Sequence, residues 1–136
     1  VRFMSKPENT FIARIHRLLP PKETLYRMKN NNLYNAGIAD CWYSGPRADL
    51  WVEYKYRATM PKRGLVVPDL TDLQDDWLTS RASEGRYVLV IYGCPQGGVI
   101  YPAGSWGVEV PAKKWVSMVQ PHASVALTIL KHCCGP

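Results

Sequence analysis

One stretch of this sequence alternates apolar, acidic and basic side chains: residues 50–56 read L-W-V-E-Y-K-Y. In a β-strand every second side chain points to the same face, so Trp51, Glu53 and Lys55 share one face. A carboxylate and an ammonium group on a largely apolar strand are costly to bury unless they have a partner or a chemical task. The pattern therefore predicts either an ordinary charge pair on a solvated face or the centre of a functional site.

A second carboxylate, Asp40, stands thirteen residues before Glu53, in a segment that also reads as a strand. If a hairpin joins the two strands, the two carboxylates lie side by side. Converging carboxylates are the ligands that a hard cation such as Mg²⁺ prefers, with waters and a substrate phosphate completing its shell. The pair therefore indicates a candidate cation site.

Two further polar side chains lie on predicted helices. Glu8 follows the helix-opening Pro7 and precedes Phe11 by one turn, so it lies at the apolar edge and near the positive helix terminus. Gln74 stands three residues before Trp77, which turns its amide toward the packing side of its helix. The simpler alternatives are a helix-end charge interaction for Glu8 and a capping or solvated amide for Gln74.

The elements that position these side chains follow from the hydrophobic pattern and the turn residues. We predict a helix over 7–19, strands over 25–29, 37–43 and 49–56, a basic loop over 57–69, a helix from the N-cap Thr71 to Gly85, strands over 87–92 and 97–101, and helices over 111–119 and 122–131, with a turn at 30–32. At 136 residues the chain fits one domain. The element order predicts an α/β fold, a small mixed sheet flanked by helices.

These residues and this order resemble the PD-(D/E)XK nuclease superfamily. Asp40 followed by Glu53, Tyr54 and Lys55 on successive strands is similar to the metal site of that superfamily. Helix, three strands, helix and strand are similar to its restriction-endonuclease-like αβββαβ core. Ala39 stands where many members have proline before the aspartate, a departure that removes no ligand.

The resemblance implies a role for each of these side chains. Asp40 and Glu53 ligate Mg²⁺, for which Mn²⁺ substitutes, and the main-chain carbonyl of Tyr54 assists them. Lys55 orients or activates the attacking water and stabilises negative charge that develops on the phosphate. These roles together describe hydrolysis of a phosphodiester bond.

The helical residues and the Gly-Ile-Ala-Asp segment at 37–40 are similar to the VRR-NUC and archaeal Holliday-junction-resolvase branches of the superfamily. There the resemblance implies that Glu8 holds a water bound to the metal and that Gln74 positions Lys55 or the phosphate. It covers about 8–92, the core of a single domain spanning 1–136. Residues 93–136 form a C-terminal extension with additional helices.

The charge distribution points to a polyanionic partner. Lys and Arg number 17 against 11 Asp and Glu, and residues 1–63 hold 12 of the basic and 5 of the acidic residues. Such a basic half is typical of nucleic-acid binding, although it also describes a surface that is merely soluble. The candidate DNA-binding residues are Arg57, Lys62 and Arg63, which follow the central strand, and Arg14, Arg17 and Lys29, which extend the track.

The functional hypothesis is a Mg²⁺-dependent DNA endonuclease, either structure-selective on junctions and branched DNA or sequence-specific like homing and restriction enzymes. Because one small domain cuts one strand at a time, we expect a homodimer or higher homo-oligomer, formed through the apolar hairpin 87–101 or the C-terminal helices. The alternative is a non-catalytic nucleic-acid-binding protein that uses the basic N-terminal half. A third interpretation makes Asp40, Glu53 and Lys55 a structural ion network.

Several classes of protein are excluded by the sequence. No apolar run approaches the ~18 residues of a membrane span, so we expect no membrane partner. Residues 1–17 are charged and lack the apolar core of a secretory signal. The four cysteines form no C-x-x-C pair, and Cys41 and Cys94 read as small buried side chains. We expect a reduced, cytoplasmic protein, with a phage gene product that acts inside its host cell among the sources that fit.

Overall fold

The computed structural model describes residues 6–30 and 37–136. Its elements in chain order are α1 (Lys6–Arg17), β1 (Tyr26–Lys29), β2 (Cys41–Ser44), β3 (Asp49–Tyr56), β4 (Leu65–Val66), α2 (Asp72–Ser83), β5 (Val88–Cys94), β6 (Gly97–Tyr101), β7 (Val110–Pro111), α3 (Ala112–Met118) and α4 (His122–Cys134). The predicted turn at 30–32 lies, apart from Asn30, outside the described residues.

Five strands form one mixed sheet in the order β1-β2-β3-β5-β6. The pairs β1–β2, β2–β3 and β5–β6 are antiparallel, whereas β3 and β5 run parallel. A parallel pair needs a crossover connection, and α2 supplies it between β3 and β5. The predicted α/β architecture, a mixed sheet flanked by helices, is confirmed.

Helices α1 and α4 cover one face of the sheet. In α1 the buried side chains Phe11, Ile12 and Ile15 fall on one helical face, and the Pro20–Pro21 pair follows shortly after its end. They pack in one buried cluster with Val125 and Ile129 of α4. The C-terminal helix α4 therefore completes the hydrophobic core beside α1, although the sequence placed it in an extension outside the core.

Helices α2 and α3 cover the opposite face, where Leu78 and Trp115 are fully buried. The connection 57–69 is not wholly a loop as predicted, since it contains β4. This short strand pairs with β7 through Leu65–Pro111 and Val66–Val110. The two-stranded sheet arises because Val66 and Val110 bury their side chains in the same cluster, a contact between residues distant in the sequence.

Element boundaries shift in two places that concern the site. The first helix ends at Arg17 rather than at residue 19, and β2 begins at Cys41 rather than at residue 37. Asp40 consequently lies one residue before its strand instead of inside it. The expected burial of Cys41 and Cys94 is confirmed.

In the part of the chain that the structure describes, every helix is too short or too polar to cross a lipid bilayer.

Candidate active site

The carboxylate of Asp40 lies against the strand that carries Glu53. Because β2 begins at Cys41, its register with β3 starts at the pair Cys41–Val52. Beyond that pair the main-chain N–H of Tyr54 donates to Asp40 Oδ2 at 2.7 Å, in place of a main-chain carbonyl. This hydrogen bond supplies the partner that a buried amide requires, and it fixes the Asp40 side chain beside β3.

The register of β2 with β3 also sets Asp40, the residue before Cys41, next to the part of β3 that carries Glu53. Trp42 and Trp51 lie opposite each other on β2 and β3, and their ring centroids are 6.2 Å apart. Because Cys41 lies opposite Val52, Asp40 and Glu53 are the next residues along the two antiparallel segments. Both side chains are 0 % exposed. The structure thus buries both of the carboxylates that the sequence singled out, on neighbouring segments of the chain.

Lys55 follows Glu53 on the same face. It is half-buried and lies opposite Tyr92 of β5, whose ring packs edge-on against Trp115 at 5.4 Å. Within residues 6–30 and 37–136, no ion pair uses the Lys55 ammonium group. The predicted alternation along β3 is confirmed, because Leu50 and Val52 point into the cluster on the other face.

A buried polar chain lies beneath the site, on the α1 side of the sheet. His16 Nε2 is 2.8 Å from the Tyr43 hydroxyl, which is 2.7 Å from the Tyr54 hydroxyl. Burial raises the pKa of Tyr43 and of Tyr54 well above the ordinary tyrosine value. Burial, followed by the charges of nearby Arg27 and other basic residues, lowers the pKa of His16 to about 4. All three groups are therefore neutral at neutral pH.

Sequence analysis missed this chain. Nothing in the sequence pattern singles out His16 or the hydroxyl group of Tyr54. No local spacing reveals the chain, because it joins α1, β2 and β3 across 27 and 11 residues. Its consequence is that Tyr54 is held through its main-chain N–H by Asp40 and through its hydroxyl by Tyr43.

Gln74 faces inward as expected and is 4 % exposed. Its Oε1 accepts the Thr71 N–H at 3.0 Å, while the Gln74 N–H donates to Thr71 Oγ1 at 3.2 Å. This reciprocal pair is a capping box, so the predicted N-cap at Thr71 is confirmed. The side-chain oxygen of Gln74 therefore caps the helix, as the simpler alternative held. Only its amide nitrogen is left for a contact with Lys55 or with substrate.

Glu8 lies in the first turn of α1 and is half-buried. Three residues later Phe11 packs against Tyr54 and Tyr56, with ring centroids 6.1 and 5.7 Å apart. Helix α1 thereby rests on the face of β3 opposite to Glu53. The contacts of Phe11 set the first turns of α1, which carry Glu8, against the C-terminal end of β3.

The residues at this site fit a hard divalent cation. Carboxylate oxygens are suitable ligands, and a nearby cation stabilises buried carboxylates. Within the described ranges, no three or more His, Cys, Asp and Glu side chains form a group able to hold a metal. A third protein ligand would thus come from the main chain, where the sequence analysis placed the Tyr54 carbonyl.

The basic residues that follow β3 differ in how far they are available to a partner. Arg57 Nε donates to the Thr59 carbonyl at 2.7 Å, and its guanidinium lies 5.7 Å from the centre of the Trp115 ring. Lys62 and Arg63 are exposed. The charges of Lys62 and Arg63 are therefore accessible to a partner, whereas Arg57 is oriented by its neighbours.

The basic residues near α1 divide in the same way. Arg14 and Arg17 are exposed on the helix. Lys29 Nζ donates to Asn9 Oδ1 at 2.8 Å, which ties β1 to α1. Arg27 donates to the main-chain carbonyls of His16 and Pro20, so it closes the link between α1 and β1.

The comparisons with known proteins agree with this architecture. No family model matches the sequence, and no curated protein matches it either. Among solved structures, the chain is similar to Hjc of Archaeoglobus fulgidus, a Holliday junction resolvase from an archaeal hyperthermophile. The TM-score is 0.52 at 12 % sequence identity, over 92 % of this chain and 99 % of that chain. The restriction-endonuclease-like fold is confirmed, and the similarity extends well beyond residues 8–92.

Proposed function

We propose that this protein is a divalent-metal-dependent DNA endonuclease that acts on branched DNA such as four-way junctions. One observation carries the proposal: Asp40 and Glu53 are fully buried on neighbouring segments of the chain, and Lys55 follows Glu53 on the same face of β3. The fold shared with a Holliday junction resolvase supports the choice of a branched substrate.

The arrangement suits hydrolysis of a phosphodiester bond. A divalent cation held by Asp40, Glu53 and the Tyr54 carbonyl would supply positive charge beside the phosphate and acidify water. The Lys55 ammonium donates hydrogen bonds to a phosphate oxygen and stabilises the negative charge that grows there. Water oxygen forms the new bond to phosphorus, the bond to a sugar oxygen breaks, and that oxygen takes a proton.

The surrounding protein keeps these groups in place during the reaction. The Tyr54 N–H fixes Asp40, and the Tyr54 hydroxyl is held in turn by Tyr43. Positioned groups lower the barrier because little reorganisation is required when the charge develops. Lys62 and Arg63, exposed beyond the end of β3, contribute phosphate contacts that are independent of base sequence.

Resolution of a junction requires two incisions, so we propose that the protein acts as a homodimer. The predicted interface on the hairpin 87–101 is not favoured, since Val90, Ile91, Val99 and Tyr101 are buried within the chain itself. The C-terminal helices keep exposed apolar side chains, Val116 on α3 and Leu127 on α4. The proposed dimer therefore uses these helices.

The experiment that tests the function incubates the protein with a supercoiled plasmid and with synthetic four-way junctions, in Mg²⁺, in Mn²⁺ and in EDTA. We expect paired incisions in the junction with either metal, no cleavage in EDTA, and a particle mass of two chains by light scattering. Linear duplex of the same sequence serves as the control and should be cut far more slowly.

The other hypotheses predict different results from the same samples. A gel shift without cleavage in either metal would identify a non-catalytic nucleic-acid-binding protein and refute the proposal. Cleavage of plasmid and linear duplex at one fixed sequence, with no preference for junctions, would instead identify a sequence-specific endonuclease.

A further inference from the structure

A cavity opens on the α1 side of the sheet, away from the carboxylate pair. Its volume is about 360 Å³, within the range of small-molecule sites. The lining comes from the start of α1, the end of β3, the β5–β6 turn and the first residue of α4: Lys6, Pro7, Thr10, Phe11, Arg14, Tyr56, Cys94, Pro95 and His122.

The floor of this cavity is aromatic. The Phe11 ring lies 5.7 Å from the ring of Tyr56 and 5.7 Å from the ring of His122. Gly93 makes room for it, because a Cβ there would lie 2.8 Å from three atoms of the Phe11 ring. Burial, followed by the Arg14 charge, lowers the pKa of His122, so this ring is neutral at neutral pH. Three adjacent neutral rings suit a flat, apolar partner.

The rim of the cavity is cationic. Lys6 and Arg14 are exposed side chains two helical turns apart on α1. The lining residues, all of them in the described part of the chain, include no carboxylate. A guanidinium and an ammonium group together favour a phosphate, which they bind through charge-assisted hydrogen bonds.

The cavity shares two elements with the proposed active site, β3 and the first turn of α1. Tyr56 is the residue after Lys55 on β3, and its side chain points to the opposite face. Lys6 and Pro7 belong to the same helical turn as Glu8. The cavity and Lys55 therefore lie at the same end of β3, on opposite faces of the sheet.

We infer that this cavity binds a single unpaired nucleotide, with its phosphate between Lys6 and Arg14 and its base on the floor formed by Phe11, Tyr56 and His122. The shared chemistry is a purine or pyrimidine that carries a phosphate, and its source is either a free mononucleotide or an unpaired nucleotide of the DNA substrate. For its place beside the scissile phosphate, the inference rests on the proposed nuclease function. The cavity itself requires neither metal nor cleavage.

The first experiment titrates the protein in EDTA with 2-aminopurine deoxyribonucleoside 5′-monophosphate and follows its fluorescence. We expect binding at least about tenfold tighter than that of the nucleoside without phosphate, since charge-assisted hydrogen bonds are roughly twice as strong as neutral ones. Inorganic phosphate should compete weakly. Equal affinity for nucleotide and nucleoside, or no binding of either, would overturn the inference.

Three variants test whether the nucleotide binds in this cavity. Arg14→Ala should weaken nucleotide affinity by about tenfold or more. Thr10→Trp, at an exposed position of the lining, should weaken it without any change of charge by occupying the cavity. Lys131→Ala removes one exposed charge from α4 outside the cavity and should leave the affinity as it was. Equal affinities in all three variants would contradict the assignment.

A second experiment distinguishes the two sources of the nucleotide. The same fluorescent base is placed unpaired at the branch of a junction, or paired within one arm, and is mixed with the protein in EDTA. A fluorescence change for the unpaired base alone, lost in Thr10→Trp, identifies the DNA strand as the source. Binding of free nucleotide with no such change identifies a free mononucleotide. Junction cleavage in Mg²⁺ without nucleotide binding refutes the cavity assignment only, and nucleotide binding without cleavage refutes the nuclease only.

Discussion

At the scale of a single residue, substitution of Lys55 distinguishes a role in cleavage from a role in stability. It is half-buried beside Glu53, and no ion pair among the described residues depends on it. Lys55→Ala should therefore leave Tm nearly unchanged, while cleavage falls by about a hundredfold to a thousandfold, the usual effect of losing a group that stabilises transition-state charge.

Single-turnover cleavage at saturating junction DNA measures this loss, and melting curves in EDTA measure stability. Lys62→Ala is the matched control, because an exposed phosphate contact should affect affinity and leave the saturated rate intact. A Lys55→Ala protein that cuts at the parent rate would make the nucleic-acid binder the better hypothesis.

The effect of Glu53 on Tm tests metal binding independently of cleavage activity. At Mg²⁺ tenfold above its Kd, ligand linkage stabilises the folded protein by about 1.4 kcal/mol, or roughly 4 °C in Tm. Glu53→Gln should abolish that shift, and should raise Tm in EDTA because it removes charge repulsion between two buried carboxylates.

Differential scanning fluorimetry with and without Mg²⁺ makes this measurement. Glu109→Gln, an exposed carboxylate outside the site, should retain the full metal-dependent shift. If Glu53→Gln lowers Tm equally in EDTA and in Mg²⁺, the carboxylate belongs to a structural ion network, as the third interpretation of the sequence holds.

At the scale of elements, the N-terminus of α2 carries Gln74, one of the predicted site residues. Gln74 contributes its oxygen to the capping box with Thr71. Gln74→Ala and Thr71→Ala should each cost about 1 kcal/mol in the free energy of unfolding, because both break the cap. Gln74→Glu preserves the cap, since glutamate also serves at this position, but it replaces the amide by a carboxylate.

Urea unfolding and junction cleavage, measured on the three variants, separate the two functions of Gln74. We expect Gln74→Glu to be as stable as the parent and to cleave at least tenfold more slowly, because a negative charge repels the phosphate. Normal cleavage by Gln74→Glu would show that the residue acts only as a helix cap.

The chain His16–Tyr43–Tyr54 joins α1, β2 and β3, and it makes stability depend on pH. The pKa of His16 is lowered from 6.5 to about 4, so the unfolded chain binds its proton more tightly. Stability is therefore complete above about pH 6.5 and decreases as the pH falls toward 4. The expected loss between pH 7 and pH 5 is about 2 kcal/mol.

Urea unfolding at both pH values tests this link. His16→Gln keeps a polar partner for the Tyr43 hydroxyl but does not titrate, so most of the pH dependence should disappear. The remainder belongs in part to His122, whose pKa is also lowered by burial and by Arg14. An unchanged pH dependence in His16→Gln would show that His16 is not buried in its neutral form.

At the scale of the whole molecule, the basic charge gathered in residues 1–63 determines how DNA affinity responds to salt. Each phosphate contact releases counterions and contributes about −0.9 to the slope of log affinity against log salt. The double variant Lys62→Gln, Arg63→Gln should therefore reduce that slope by up to about two and weaken binding to all sequences alike.

Fluorescence anisotropy with labelled junction DNA, between 50 and 200 mM salt, provides the slopes at roughly physiological ionic strength. The double variant Arg86→Gln, Lys131→Gln removes the same charge from exposed positions in residues 64–136 and should leave the slope unchanged. If the two double variants have equal salt slopes, Lys62 and Arg63 do not contact the DNA phosphates.

The local pattern of the sequence determined the elements and the face on which the site lies. The alternation along β3 places Trp51, Glu53 and Lys55 together because the side-chain period of a strand is a property of its own backbone. The N-cap at Thr71 follows in the same way from a single turn of chain. The helices and the strands of the five-stranded sheet were predicted for these reasons with errors of a few residues at their ends, whereas β4 and β7 were missed.

Only the tertiary structure decided which of these elements meet. The Asp40–Tyr54 hydrogen bond depends on the register of β2 against β3, and the pairing of β4 with β7 joins segments about 45 residues apart. The packing of α4 beside α1, which forms the aromatic cavity, depends on burial of Val125 and Ile129 in a shared core. Such contacts are set by the hydrophobic free energy of the whole chain, which no local period in the sequence encodes.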